Sequence, residues 1–433
     1  MTAFEQAHAA SILQPATVEP IPPLKHVKVL VASVVRKPPE VLRAWLESLS
    51  WQKFRDPQPE VAYAFLANFA PTDPFKDEGL ALLKESGALV VEEAAPVGDY
   101  GDGERTRMWS QSSFERLGNL KNNLLQLCLT NQFDAIWLVD ADVLCDPYTL
   151  QSLLDSEAPI TSAVYWTNWQ RKLYDSAEFV HAGPQVWLRH PYVLDDARFS
   201  EPEFRAVLIN RRRVQVGGLG ACTLIHRGAI EKGVSFAKVP EIAQIGGMWD
   251  GEDRHFCLRA QRLHVPLMAD PWSDVAHAYH PVEYGNIPEW MRALRDWPHF
   301  PRPQFGHLVS LKLDPLEPVQ DAFGRFHHLG SRWVRGKFGV LPVMPEIEEA
   351  VGGLNAGEAA IVKVHYPVHY ELPTLRNATR IFRVTLLDCK AFRYAPIIDA
   401  ELFQAGASQR YLDATTLTQR QAEDMTAVTE PVS

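Results

Sequence analysis

The sequence predicts an α/β protein, with a Rossmann-like, mostly parallel central sheet flanked by helices and a β-rich domain appended near its C-terminal end. Three observations predict it. Short, continuously apolar runs (VKVLVASVV, VAYAFLANF, ALVVEE, AIWLVDADVL) alternate with amphipathic stretches, and strands apolar on both faces are typical of a parallel sheet covered on both sides. In PEVLRAWLESLSW, Leu42, Trp45, Leu46 and Leu49 share one helical face, which makes the first unit β-α-β. From about Gly306 the character changes to short β-like runs with Pro and Gly punctuation, LPVMPEI, AAIVKVHYPVHYEL and TRIFRVTLLD among them, as expected for a separate β domain.

The elements follow in order. Residues 1–24, rich in Ala and Pro, read as a flexible leader, and 25–304 as the α/β domain. Its first half runs through LLKESG, ALVVEE, the helix around FERLGNLKNNLLQLCL and the strand AIWLV. Between Glu93 and Ser113 lies VGDYGDGERTRMWSQ, Gly-rich and charged, too long for a simple connector and read as a lid or binding loop. After Tyr165 come shorter, mixed elements. Residues 305–412 form the β-rich accessory domain, and 413–433 a polar, frayed tail.

Composition excludes several classes. At 433 residues the chain exceeds the size at which one core keeps growing, so more than one unit is expected. Hydrophobic content of 46% with 22% charged residues rules out collagenous, coiled-coil and wholly disordered chains. A net charge of −10 argues against indiscriminate coating of nucleic acid. The five cysteines are odd in number and set in apolar runs, so they read as buried thiols in a reducing compartment. There is no run of eighteen apolar residues and no signal-peptide pattern; a cytoplasmic protein without a transmembrane segment is expected.

Asp140 and Asp142 follow AIWLV. Residues two apart at a strand end point the same way, so both carboxylates can face one ion, and ligands of open parallel sheets bind beyond the carboxyl ends of the strands. Mg2+ or Mn2+ prefers oxygen ligands and completes its shell with substrate phosphates. An isolated D-x-D is often only a turn or helix cap; the apolar strand and the long helix before it favour a site.

With that strand and its D-x-D, residues 26–282 resemble the GT-A fold glycosyltransferases, especially the family 2-like and mannan-polymerase-like members. The resemblance implies that Asp140 and Asp142, with Ala141 between them, hold a divalent metal and the diphosphate of a nucleotide-sugar donor, a UDP- or GDP-sugar. It places Ala32, Ser33 and Arg36 in the first nucleotide-binding loop. Asn68 falls where relatives often carry an acid facing the base, and Arg116 and Lys121 match basic positions leading into the D-x-D strand. The loop VGGLGACTLIHR, with Gly218 and Gly220, corresponds to the acceptor side of the sugar, where glycine lets backbone approach a ligand.

Trp249-Asp250-Gly251-Glu252-Asp253 precedes a helix with Phe256, Cys257, Ala260 and Leu263 along one stripe. Acids at a helix N-terminus are ordinary caps. Beside a D-x-D, the resemblance implies that one acid of this pair is the general base, Asp253 ahead of Glu252, while Trp249 and Asp250 contact sugar. His277 and His280 resemble the histidine that completes the metal shell, His277 first, and imidazole suits such a metal. Two basic clusters remain: Arg211 to Arg213, a candidate groove lining, and FGRFHHLGSRWVRGKFG with Arg325, Arg332, Arg335 and Lys337, read as a junction strand with a solvated basic face.

The expected activity is metal-dependent, inverting transfer of a sugar to an acceptor hydroxyl on a glycan, a protein or a modified nucleobase. Two competitors stand beside it. A sugar-phosphate nucleotidyltransferase would carry a Gly-rich phosphate loop where this chain has SVVRKPPE; a non-catalytic glycan- or nucleic-acid-binding module would not need the acids together.

Overall fold

The computed structural model describes residues 26–96, 100–102, 107–109, 111–170, 180–184, 186–187, 204, 207–208, 211, 213–239, 251–279, 281–320, 326–327, 330–339, 341, 343–366, 375 and 378–391. The expected leader and tail, most of the Gly-rich loop's turns, Arg212, Trp249, Asp250, His280 and Arg325 lie outside them.

The chain adopts the expected class. Strands β1 (Lys28–Val35), β2 (Glu60–Ala67), β3 (Leu89–Glu92), β4 (Ala135–Val139), β5 (Val143–Cys145), β6 (Ile160–Ala163), β7 (Trp166–Gln170), β8 (Val180–Pro184), β9 (Val214–Val216), β10 (Cys222–His226), β11 (Leu267–Asp270) and β12 (Val275–His277) build two sheets. The larger has the order β9-β11-β6-β10-β4-β1-β2-β3. Its pairs β1·β2, β1·β4, β2·β3 and β6·β11 are parallel, while β10 runs against both neighbours and β9 against β11.

Alternation along the strands explains the layers. On β1, Val29, Val31 and Val35 enter one core, with Trp45, Phe65 and Trp137, while Leu30 and Ala32 enter the other, with Leu124, Ile136 and Phe256. Successive side chains point to opposite faces, so one apolar strand feeds both cores. Helices α1 (Pro39–Ser50), α2 (Lys76–Glu85) and α4 (Thr149–Leu154) cover the first face, and α3 (Gln111–Thr130) the second. The first strand runs two residues further than the expected end at Ser33, so Ala32 is wholly buried and the loop starts at Arg36. Pro38, extended, and Pro39 in the first turn then start α1, since proline is preorganised there and loses no needed donor.

Gly118 on α3 sits where the helix meets the chain before α5 (Glu252–Arg262). A Cβ there would lie 2.8 Å from the Phe236 carbonyl oxygen and 3.3 Å from Glu252 Cβ. Helix propensity alone would make alanine better by about 1 kcal/mol, but overpacking against backbone costs about 1–3 kcal/mol. Gly118→Ala is therefore expected to destabilise, as measured by the midpoint of urea unfolding; a raised midpoint would show that the contact yields.

A separate antiparallel sheet, β14-β13-β16-β15, is formed by β13 (Leu308–Pro315), β14 (Arg332–Lys337), β15 (Ala359–His365) and β16 (Thr379–Lys390). With Pro345–Gly352 it encloses its own core around Val309, Leu311, Val384 and Leu386. The expected solvated basic face of β14 is corrected at its centre. Arg335 is buried, and its guanidinium holds Asp270 with both terminal nitrogens while donating to Ser152 Oγ (2.9 Å) and Ser310 Oγ (3.0 Å). A charge so far from water persists only when paired and fully hydrogen-bonded.

The Arg211–Arg213 expectation changes for the same reason. Arg213 Nη2 bonds Asp270 Oδ2 at 3.0 Å and Arg211 Nη1 lies 2.6 Å from Asp274 Oδ1. Both arginines neutralise buried acids of residues 270–274. Lys390, fully buried, joins them by donating to the Trp272 carbonyl between the rings of Trp272 and Trp297. Among the described residues, no helix is long and apolar enough to cross a membrane.

Candidate functional site

Strand geometry delivers the aspartates. β4 is buried along its length, and at its end the Asp140 N–H donates to the Ala221 carbonyl (2.9 Å), while the Val143 N–H returns to the Asp140 carbonyl (3.0 Å). That turn leaves the Asp140 side chain 39% exposed and drives Asp142 to 1%. β5, which follows at once, pairs antiparallel with β12 so that Val143 faces His277, and the Ala278 N–H donates to the Asp142 carbonyl (2.9 Å). The second aspartate and the late histidine are thus neighbours by register. His277 Nε2 lies 3.6 Å from Asp142 Oδ1.

The other oxygen of Asp142 carries a partner that the sequence did not announce. Lys37, at the end of the loop after β1, places its ammonium on Asp142 Oδ2. Arg36, expected on the donor, is turned away and grips Asp73 with two bonds of 2.8 and 2.9 Å. Of these two adjacent basic residues, Lys37 is the one on Asp142.

The second half of the site is built on α3 and α5. Gly251 caps α5 in an extended conformation, which sets Glu252 and Asp253 in its first turn. Between them stands Lys121, whose ammonium lies 2.8 Å from Glu252 Oε1, 3.0 Å from Asp253 Oδ1 and 3.9 Å from Asp140 Oδ1. Lys121 therefore links the D-x-D to the E-D pair from the centre of the site, with no solvated helix face involved. Burial alone would lower its pKa, but Asp253, Glu252 and Asp140 outweigh that and hold it well above the ordinary lysine value.

Burial pushes the Glu252 carboxyl up to about 7 against the pull of Lys121, and that of Asp140 up to about 6, again opposed by Lys121. Shifts of this kind cluster at functional sites, though ion-pair networks also produce them. A small cleft brings Asp140, Lys121 and Asp253 together with Gly220, Ala221, Thr223 and Phe236. Gly220 is thus beside the acids. Gly218 is buried on a short strand that pairs with Val186–Trp187.

Tyr165 is a further neighbour that sequence reasoning passed over. Its hydroxyl accepts the Ala221 N–H (2.8 Å), and its ring meets His277 edge-on at 5.0 Å. Burial first, then the charge of Asp140, raises its pKa well above the usual phenol range. It ties the loop before β10 to the histidine.

The structure does not bring the remaining expected donor residues to these acids. Asn68 Nδ2 donates to the Glu93 carbonyl (2.6 Å), and Arg116 Nη2 to the carbonyls of Glu93 (3.3 Å) and Ala94 (2.6 Å). Both fasten the segment after β3. Ser33 Oγ is buried without a hydrogen-bond partner among the described residues, and Ala141 is buried in the core. Leu263, placed on the apolar stripe of α5, is 36% exposed because the helix ends at Arg262.

Among the described residues, no group of three or more His, Cys, Asp or Glu side chains is already arranged to hold a metal ion. The donor chemistry nevertheless fits one. The 3.6 Å between Asp142 Oδ1 and His277 Nε2 is wider than a hydrogen bond and can be spanned by two metal bonds of about 2.1 Å. Asp140, two residues earlier in the turn, is the further carboxylate of this corner. The ammonium of Lys37 is the obstacle to such an ion.

No protein-family model matches the sequence, and no curated protein matches it. Among solved structures, the chain is similar to GalNAc-T7 with UDP, GalNAc and Mn2+, at TM-score 0.38 and 12% identity over 61% of this chain and 48% of that one, so it spans under half of that protein. It is similar to the mannosyltransferase PcManGT from Pyrobaculum calidifontis in complex with GDP-Man and Mn2+ (TM-score 0.34, 13% identity, 67% of each chain) and to TarS from S. aureus (TM-score 0.32, 12% identity, 62% of this chain and 39% of that one).

Proposed function

We propose that the chain is a glycosyltransferase that uses a divalent metal, Mn2+ or Mg2+, and a UDP- or GDP-sugar, and transfers the sugar to an acceptor hydroxyl with inversion. The observation that carries this reading is the approach of His277 to Asp142 at adjoining strand ends, with Asp140 joined through Lys121 to Glu252 and Asp253. Residues 25–304 would supply the catalytic unit and 305–412 an accessory one. The five cysteines, buried and unbridged, accord with work in the reducing cytoplasm.

Asp140, Asp142 and His277 would hold the metal, which when bound would neutralise charge growing on the departing diphosphate. Asp253 takes the proton of the acceptor hydroxyl as its oxygen bonds to the anomeric carbon; the bond from that carbon to the phosphate oxygen breaks, and the nucleoside diphosphate leaves with the electron pair. Reach favours Asp253 over Glu252. A base must reach the proton that it removes, and Asp253 lines the cleft with Asp140, while Glu252 is 7% exposed and fixed on Lys121. Lys121, charged through its three acidic neighbours, orients both.

A screen of UDP- and GDP-sugars, with and without Mn2+ or Mg2+, tests the proposal. Release of UDP or GDP that stops on chelation is expected. Full turnover in metal-free protein would remove the metal from the mechanism. Pyrophosphate release from a nucleoside triphosphate and a sugar phosphate would replace the activity with nucleotidyl transfer.

A further inference from the structure

Lys37 lies on the aspartate that the proposed metal needs. Asp142 is 1% exposed, and the ammonium of Lys37, itself 7% exposed, is on one of its oxygens. A carboxylate so deeply buried is costly without a cation, and Lys37 supplies one while no metal is present. A divalent ion between Asp142 Oδ1 and His277 would set two further positive charges close to the ammonium on Oδ2, and that repulsion favours moving the lysine off the carboxylate.

The displaced ammonium would then need another anion, and the site's other acids are committed, Asp140 to the metal on the reading above and the rest to cations of their own. Asp73 is held twice by Arg36, and Glu252 and Asp253 by Lys121. The anion that arrives with the metal, on the reading above, is the donor's diphosphate. Lysine suits the exchange, as a compact charge on a flexible four-carbon stem, here rooted by Pro38 and Pro39 at the start of α1.

We propose that Lys37 is an exchangeable cation of the donor site: it neutralises Asp142 in the empty protein and passes to the diphosphate when metal and nucleotide enter. This rests on the proposed donor chemistry. It makes Lys37 both a competitor of the metal and a ligand of the nucleotide, two roles that a purely structural lysine would not combine.

The test measures Mn2+ binding, and then UDP and GDP binding at saturating Mn2+, by calorimetry on the full chain, wild type against Lys37→Met and Lys37→Arg. Lys37→Met is expected to bind Mn2+ alone on the order of tenfold more tightly, an ordinary size for coupling between sites. The same variant should bind the nucleoside diphosphate about tenfold more weakly, having lost a charge-assisted hydrogen bond. Lys37→Arg should move both values back toward wild type.

Unchanged or weaker Mn2+ binding by Lys37→Met, with nucleotide still bound, overturns the exchange and leaves the glycosyltransferase reading standing. If wild type binds neither UDP nor GDP, both fall. Should Lys37→Met not fold, wild type decides alone: Mn2+ affinity that is equal with and without UDP or GDP overturns the exchange.

Discussion

Asp253→Asn is expected to lower kcat by about 10²–10⁴-fold, the usual contribution of a positioned acid or base, while UDP or GDP affinity changes little. The substitution keeps the size of the side chain and its place in the first turn of α5, and removes only the ability to take a proton. Lys121 loses one acid at 3.0 Å but keeps Glu252 at 2.8 Å, so the neighbourhood stays assembled. Steady-state kcat measured beside nucleotide affinity separates chemistry from binding. Glu252→Gln is the control. If that variant loses more turnover than Asp253→Asn, with its fold intact, the two acids exchange roles, and the near-neutral pKa of Glu252, about 7, becomes the argument for it.

The largest stability effect should come from Arg335→Met. Asp270 is buried and receives Arg335 through both terminal guanidinium nitrogens, with Arg213 at 3.0 Å as a second cation. Removing one partner of a buried pair costs about 3–5 kcal/mol, because a charge is left in a place that water cannot reach. Arg213 remains, which places the cost toward the lower end. Unfolding by urea measures it, and a change within experimental error would show that Arg213 suffices. The double variant Asp270→Asn, Arg335→Met should recover part of the loss.

The same pair sets an acid limit. Burial would raise the Asp270 pKa, but Arg335 and Arg213 outweigh it and hold the carboxyl well below the usual range. A group depressed in this way adds stability that is fully present above its unfolded value of about 4. That contribution is lost as pH falls through the lower, folded value. The stability that this carboxylate gives the wild type should therefore be flat above about pH 4 and decline below it, as read from urea midpoints across pH.

The sequence made the sheet and the acids visible for a local reason. AIWLV is apolar at every position and is followed by two aspartates, and Gly-Glu-Asp before an amphipathic run reads as a helix start without any knowledge of tertiary structure. The lysines were harder, because what matters about Lys121 is a partner 131 residues away, and about Lys37 one 105 away. No local pattern tells a lysine on a wet surface from one sealed against a carboxylate. Arg36 and Lys37 show the same limit within two residues, since both are basic and which of them faces the site follows from where Asp73 sits. Arg335 was misread in the other direction: RWVRGK looks like a solvated ribbon until Asp270 is placed beneath it.

The seven residues from Asp270 to Ala276 carry two buried acids and run straight into His277. Part of their counter-charge is borrowed from far along the chain, Arg335 for Asp270 and Lys390 beside Trp272. A fragment trimmed after Arg295, where the α/β layers are complete, would keep every proposed metal ligand and both candidate bases. It would nevertheless strip the ballast from the ribbon on which the histidine hangs. The shortest piece that should keep that histidine in place extends past Lys390, which makes the distal sheet a keel of the molecule and not a passenger.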